Sequence, residues 1–217
     1  MTVVVVPLHM QSIPTRNFVH MVHGERRRDA IIIDPVGDLD AVLADLHRRD
    51  LTLRGILVTH THADHIGLVA PLSAGSDCPV WVSSREADRL DVPSHLLRVL
   101  DGGNSFELAG LQIEPIPTPG HTLRSLWHRI GENLFTGDTL FIEGCGICSG
   151  PNSDPGLLFD SLLRLRDEIA PETRVYPGHR YVYPIGQPFS FVLEHNIYMQ
   201  FDRAQRALFI GFKMRRG

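Results

Sequence analysis

The sequence predicts an α/β protein built in layers. Three observations carry this. Short apolar, β-branched runs recur along the chain. Helical stripes with cap signals stand between several of them. The most apolar run, Ile56-Leu57-Val58, stops at a histidine-rich segment, and layered α/β folds place their sites outside strand ends.

The elements follow in order. Val3–Leu8, Phe18–Val22, Ala30–Asp34 and Gly55–Thr59 read as strands, and Gly24–Asp29, with three arginines in solvent, joins two of them as a hairpin. Leu39, Val42, Leu43 and Leu46 recur at helical spacing after Asp38, a cap residue, so Leu39–Arg49 reads as an amphipathic helix. Ile56–Val58, apolar throughout, reads as a central strand covered on both faces. Helix-like sequence resumes at Ile66. Val80–Val82 reads as a strand and Ser84–Leu90 as a short helix. Leu111–Ile116, Ser125–Ile130 and Asn133–Thr136 read as strands. Asp154-Pro155 opens a helix with the buried stripe Leu158, Leu162, Leu165 and Ile169. Arg174–Tyr176 is another strand, and the last thirty residues read as helix and tail.

With 217 residues, 43% apolar, the chain can bury a full core. No repeat or linker divides it, so residues 1–217 are expected to form one domain with a short C-terminal helical tail. The net charge of −4 gives no reason to expect nucleic acid. No stretch reaches the ~20 apolar residues of a membrane span, and the N-terminus has no basic region ahead of its apolar one. Three cysteines argue against a disulfide framework and for a reducing compartment, the cytoplasm by default.

Twelve histidines are many for this length, and their grouping matters more than their number. Four segments each place a metal-competent side chain at a strand end or in a Gly/Pro turn: His60-Thr-His62-Ala-Asp64-His65, Thr118-Pro-Gly-His121, Thr136-Gly-Asp138-Thr139 and Tyr176-Pro-Gly-His179. In the last three a glycine precedes the candidate ligand and permits a sharp turn. His60 and His62, two apart, point the same way in extended chain. Asp64 and His65 follow where a helix begins. Imidazole and carboxylate suit zinc, iron or manganese. A tetrahedral site needs about four ligands. Five histidines and two aspartates exceed that and suggest two divalent metals, with Asp138 as the natural bridge and a hydrolytic reaction as the outcome. The other seven histidines, at 9, 20, 23, 47, 95, 128 and 195, show no such spacing and read as surface or core residues, or as partners of ligands.

The pattern resembles the metallo-β-lactamase superfamily, and within it the glyoxalase II (hydroxyacylglutathione hydrolase) branch. The resemblance runs from about residue 31 to 181 and includes Leu-Phe-Thr-Gly-Asp-Thr-Leu-Phe at 134–141 and Gly-Cys-Gly at 144–146. It implies a four-layer αβ/βα sandwich with metals at the edge where two sheets meet. It implies that His60, His62 and His121 hold one metal, that Asp64, His65 and His179 hold the other, and that Asp138 bridges them. Asp64 and Asp138 are the catalytic candidates, Asp64 orienting the attacking hydroxide. Cys145-x-x-Cys148 invites a redox reading, but Cys145 belongs to the Gly-Cys-Gly loop, which favours the loop reading.

The chain departs from that branch after the loop. Glyoxalase II enzymes place Arg or Lys there to hold glutathione. Here stands Ile147, which cannot pair with a carboxylate. The basic C-terminal extension that grips glutathione is not fully accommodated by this length. Tyr181 matches a family substrate contact. The hydrolytic set thus reads as intact and the thiol-binding contacts, Tyr181 and Ile147, as altered.

A narrower resemblance fits this departure. Pro7-Leu-His-Met10, Pro14-Thr-Arg-Asn-Phe18, Glu194–Phe201 and Phe212-Lys-Met-Arg215 are similar to zinc-dependent hydrolases of trans-acyltransferase polyketide biosynthesis. That resemblance implies release of acyl groups from an acyl carrier protein. Between residues 202 and 217, Arg203, Arg206, Lys213, Arg215 and Arg216 stand against one acidic residue. They form either a docking patch for an acidic carrier or a solvated tail. Three other readings stay open: glyoxalase II itself, an iron-dependent persulfide dioxygenase holding one iron on His60, His121 and Asp138, and an inactive carrier-protein binder. A β-lactamase is disfavoured by the Asp64-His65 pair and the loop around Gly144.

Overall fold

The computed structural model describes residues 2–11, 16–100 and 103–214. The chain opens with β1 (Val3–Gln11), β2 (Arg16–Gly24) and β3 (Asp29–Ile33), followed by α1 (Leu39–Arg48) and β4 (Thr52–Leu57). After α2 (Ala63–Ile66) and α3 (Val69–Ser76) come β5 (Val80–Ser83) and β6 (Leu97–Leu100). The second half holds β7 (Phe106–Leu108), β8 (Leu111–Pro117), β9 (Leu126–Ile130), β10 (Asn133–Gly137), α4 (Pro155–Glu168), β11 (Arg174–Pro177), β12 (Gln187–Pro188), α5 (Phe189–His195) and α6 (Arg206–Met214).

Two six-stranded sheets result, in the orders β1-β2-β3-β4-β5-β6 and β12-β11-β10-β9-β8-β7. Both are mixed: β3 to β6 run parallel, as do β10 and β11, and the remaining pairs are antiparallel. The period-two alternation of strands decides which residue faces which layer. In β3, Ala30 and Ile32 join a cluster with Val42 and Leu46 of α1 and Val69 and Leu72 of α3. Ile31 and Ile33 point the other way and meet Leu111 and Ile113 of β8 and Phe135 of β10. Beyond the second sheet, Leu134 of β10 and Val175 of β11 pack on Leu158, Leu162 and Leu165 of α4 and on Phe189 and Phe209. The order helix, sheet, sheet, helix is the expected four-layer αβ/βα sandwich.

The caps account for where two helices start. Asp38 accepts from the N–H groups of Asp40 and Ala41, at 2.9 and 3.2 Å. Asp154 accepts from Gly156 and Leu157, at 2.7 and 3.0 Å, with Pro155 in the first turn. Each such cap contributes about 1 kcal/mol.

Three expectations need correction. The predicted strand Gly55–Thr59 lies earlier, at Thr52–Leu57, because β3 has ended at Ile33 and the Thr59 N–H bonds a side chain, that of Asp34, at 2.7 Å. The helix predicted at Ser84–Leu90 is only a 3-10 turn, Ala87–Arg89; the Glu86 carboxylate is turned inward to Thr61 and Thr122. The basic C-terminal patch is the third. The Lys213 side chain points inward and is 3% exposed, Arg206 is held by Asp160 at 3.0 Å, and Arg203 faces Asp167 at 3.8 Å. Lys213 is therefore withdrawn from any surface patch, while Arg203 and Arg206 stay exposed beside acidic residues of the same domain. Arg215 and Arg216 lie outside the described residues, as do Pro14 and Thr15 of the N-terminal motif.

Among the described residues no helix is long and apolar enough to cross a membrane.

Candidate metal centre

The sheets' strand ends deliver the side chains. The chain leaves β4 and runs through Thr59 and His60 into α2, presenting His60, His62, Asp64 and His65 within six residues. The turn after β8 supplies His121, the end of β10 supplies Asp138, and the end of β11 supplies His179. Gly137 sits at a φ of +49°, a conformation that favours glycine. Gly178 serves by close approach instead: a Cβ there would stand 2.5 Å from His65 Cε1 and 2.8 Å from Asp138 Oδ1.

The structure brings these residues into two adjoining sets. His60, His62 and His121 form one, and Asp64, His65 and His179 the other, with the ligand atoms of each within 4.8 Å of one another. His121 Nε2 lies 3.3 Å from His60 Nε2 and 3.0 Å from His62 Nδ1. Two nitrogens bound tetrahedrally to one zinc at ~2.0–2.1 Å would stand ~3.3 Å apart. Asp138 lies between the sets. Its Oδ1 is 3.2 Å from His65 Nε2, and its Oδ2 is 3.2 Å from His179 Nε2 and 3.9 Å from His121 Nε2.

The far side of each ring shows which nitrogen faces inward. His65 Nδ1 donates to Asp34 Oδ2 at 3.0 Å, and His121 Nδ1 donates to the Ile147 carbonyl at 2.8 Å. His60 Nδ1 lies 3.1 Å from Thr59 Oγ1. In all three rings Nε2 is left to turn toward the centre. His65 Nε2 and Asp138 Oδ1 are buried and face each other without a well-directed hydrogen bond, an arrangement that a cation between them resolves.

Electrostatics points the same way. Burial and the neighbouring His65 push His60 well below its ordinary value. Burial opposes protonation of His179, yet the Asp138 and Asp64 carboxylates hold its pKa up at about 9. His65 is likewise raised against burial by Asp138 and Asp34. His179 draws the half-buried Asp64 well below the carboxylate range. Asp138 is also held low, by His65 and His179 against its burial. Carboxylates that pull protons onto buried imidazoles create a demand for positive charge, which a divalent metal ion supplies. The donor set and its spacing fit such an ion.

Sequence reasoning missed the residues behind the ligands. Asp34 ends β3 at a φ of +50° and accepts from Thr59 N at 2.7 Å, Thr59 Oγ1 at 2.6 Å and His65. Glu86 accepts from the Thr61 N–H at 2.7 Å and from Thr122 Oγ1 at 2.6 Å, joining the His60 loop to the His121 turn. Asn17 Nδ2 donates to the Asp64 carbonyl at 2.6 Å, and the Phe18 N–H to the Gly178 carbonyl at 2.9 Å, so β2 ties the two sheets together at the site. The signal available for Asp34 was an acidic residue closing the apolar run Ile31-Ile32-Ile33.

Above the centre opens a cavity of about 440 Å³. His62, Asp64, His121, Asp138 and His179 reach it from the centre, and Phe141, Ile147 and Tyr181 line its apolar side. Ile147 and Tyr181 are 55% and 61% exposed, and the Tyr181 ring packs 5.2 Å from that of Phe141. Arg89, which sequence reasoning did not single out, lines it as well. Among the described residues no carboxylate pairs with this guanidinium. Cys145 and Cys148 are free, buried thiols. Burial pushes them up to about 12 and about 11, unlike the low-pKa thiols of redox pairs.

A family model described as "Metallo-beta-lactamase superfamily" matches residues 17–179. The chain is 36% identical over 200 residues to a "Probable polyketide biosynthesis zinc-dependent hydrolase BaeB" of Bacillus velezensis, covering 92% of this chain and 88% of that one. It is 38% identical over 182 residues to a hydroxyacylglutathione hydrolase of Albidiferax ferrireducens, covering 79% of this chain and 67% of the relative. Among solved structures, ETHE1 from Myxococcus xanthus superposes with a TM-score of 0.85 at 29% identity, over 97% of this chain and 90% of that one.

Proposed function

Since the chain belongs to the metallo-beta-lactamase superfamily, we propose that it is a metal-dependent thioesterase that releases acyl groups from an acyl carrier protein in polyketide biosynthesis. The single observation that carries the reading is the pair of ligand sets joined at Asp138, opening into a cavity that Ile147 helps to line.

His60, His62 and His121 would hold one divalent ion and Asp64, His65 and His179 the other, with Asp138 between them. Zinc is the first choice, given the zinc-dependent relative, and iron or manganese suits the same donors. Two such ions supply a water acidic enough to be hydroxide near neutral pH and polarise a carbonyl oxygen. The chain's own residues do the rest. Asp64, kept ionised, accepts a hydrogen from the attacking water and orients it. Asp34 and the Ile147 carbonyl fix the rings of His65 and His121. Phe141, Ile147 and Tyr181 offer apolar surface on the cavity wall against which the acyl-thiol part can pack. Water oxygen bonds to the thioester carbon, the C–S bond breaks, and the sulfur leaves as a thiolate, a better leaving group than an alkoxide. No protein nucleophile is needed, and burial keeps the Cys145 thiol protonated.

A carrier-bound thioester also suits Arg89. The arm that carries the acyl group holds a phosphodiester, and an unpaired guanidinium on the cavity wall can receive it. The three free thiols suit a reducing compartment such as the cytoplasm.

The test is a release assay. Acyl-carrier protein, acyl-coenzyme A and acylglutathione are compared on one preparation, with metal analysis of the same sample. Faster release from the carrier supports the reading, and preference for acylglutathione overturns it in favour of glyoxalase II. Oxygen uptake with glutathione persulfide would identify a dioxygenase. Carrier binding without cleavage would identify an inactive binder.

A further inference from the structure

Helix α6 turns Phe209 and Lys213 into the domain, behind the metal centre. Lys213, on α6, is buried. Its Nζ donates to the carbonyls of Cys145 and Gly146, at 3.2 and 2.6 Å, and lies 4.8 Å from the centre of the Tyr198 ring. No carboxylate pairs with it among the described residues. Taking an ammonium out of water is costly even where a counter-charge waits, so filling space is a poor reason for a lysine here. Asn196, just past α5, reaches the same loop. Its Nδ2 donates to the carbonyls of Phe141 and Gly144, at 3.0 and 2.8 Å.

That loop is in turn tied to the ligands. The Gly146 N–H donates to the Asp138 carbonyl at 2.7 Å, and the next carbonyl, of Ile147, receives His121 Nδ1. The Gly146 backbone approaches the His121 ring closely, since a Cβ there would stand 2.5 Å from Nδ1. A continuous path therefore runs from Lys213 through Gly146 and Ile147 to His121, whose Nε2 faces His60 and His62.

We propose that Lys213, assisted by Asn196, is a positioning residue for the metal centre, holding the 141–147 loop so that His121 presents Nε2 to the ion shared with His60 and His62. The charge gives the brace its strength. An ammonium bonds two carbonyls more firmly than a neutral donor does, and it does so on the side of the loop away from the ligands. Outer partners of a metal-binding histidine typically change metal affinity about 10- to 100-fold.

The experiment compares Lys213→Met with Phe209→Leu, a substitution on the same helix that perturbs the shared apolar cluster but removes no hydrogen bond to the loop carbonyls. Zinc affinity is measured by competition with a chromophoric chelator, and the visible spectrum of the cobalt(II)-substituted protein reports ligand geometry. Both variants should melt at lower temperature. Lys213→Met alone should bind zinc about 10- to 100-fold more weakly and show an altered cobalt spectrum. Wild-type affinity and spectrum in Lys213→Met, or an equal loss in Phe209→Leu, would overturn the proposal. Should Lys213→Met fail to fold, hydrogen exchange of the wild type decides. Coupling is reciprocal, so zinc must slow exchange of the α6 amides along with those of the 144–147 loop. Unchanged exchange in α6 would overturn the proposal equally.

Discussion

Asp34 Oδ2 lies 3.0 Å from His65 Nδ1, and the same carboxylate receives the Thr59 N–H and hydroxyl. One side chain at the end of β3 thus fixes both the strand end that starts the ligand run and the ring orientation of its last histidine. Replacing it leaves the buried Thr59 N–H without its acceptor, at a cost of about 1–3 kcal/mol. It also frees the His65 ring to turn. Asp34→Ala should therefore lower zinc affinity about 10- to 100-fold, read by chelator competition, and lower the urea midpoint of the metal-free protein. Unchanged zinc affinity would remove Asp34 from the centre.

Asp138 stands within reach of both ligand sets, through Oδ1 toward His65 and Oδ2 toward His179 and His121. Asp138→Ala should abolish hydrolysis and reduce the metal content of the purified protein. Asp138→Asn keeps the shape and one oxygen but loses the charge, so it should retain more metal than the alanine variant and little of the turnover. Metal analysis beside the release assay checks both. Wild-type turnover with full metal content in Asp138→Ala would show that the two sets are not joined there.

His20 provides a pH-dependence separable from the ligands. It is fully buried in β2, its Nε2 donates to the Pro177 carbonyl at 3.0 Å, and its Nδ1 has no partner. Burial lowers its pKa to about 4 in the folded protein, against 6.5 for an ordinary histidine. Between those values the unfolded chain binds the proton and the folded one does not. Stability is therefore lost as pH falls from about 6.5 towards about 4. Burial lowers His128 too, with the same sign. His20→Gln keeps a donor and cannot titrate. In the metal-free protein it should lose less stability between pH 7 and pH 5 than the wild type does, as measured by urea unfolding at each pH. An identical loss would show that His20 does not stay neutral in the fold.

What was legible in the sequence, and what was not, divides on physical grounds. The central strands and the two capped helices were legible because burial on one or two faces leaves an unbroken pattern, as in Ile31–Ile33 or in the stripe from Leu158 to Leu165. The strands overlooked, β6, β7 and β12, are all sheet edges. Edge strands are short and need not be apolar on both sides, so Leu97–Leu100 carries little signal. The seven metal-competent residues announced themselves through spacing and through the glycine beside three of them. Their partners did not. Asp34, Glu86, Asn17 and Lys213 meet the site only through tertiary contacts, and each looks like an ordinary polar residue in its own segment. Lys213 was read as surface charge because its neighbours in sequence are basic, and nothing local reveals that α6 turns it inward.

Arg89 carries the prediction on substrate charge. It lines the cavity from the turn between β5 and β6, away from the 144–147 loop in which glyoxalase II enzymes carry their basic residue. Ile147 makes that loop neutral here, so among the described lining residues Arg89 is the one Arg or Lys available to an anionic substrate group. Because the guanidinium is exposed, its attraction for a phosphodiester is screened and is worth about 1 kcal/mol, or roughly fivefold in binding. Arg89→Gln should raise KM roughly fivefold for an acyl-carrier protein and leave kcat unchanged, since the contact is made equally before and in the transition state. Added salt should weaken the wild type towards the variant. A short acyl thioester without phosphate should be hydrolysed equally by both. A fall in kcat with KM unchanged would instead place Arg89 beside the reacting carbonyl. Equal KM values on the carrier would show that the arm enters the cavity without touching Arg89.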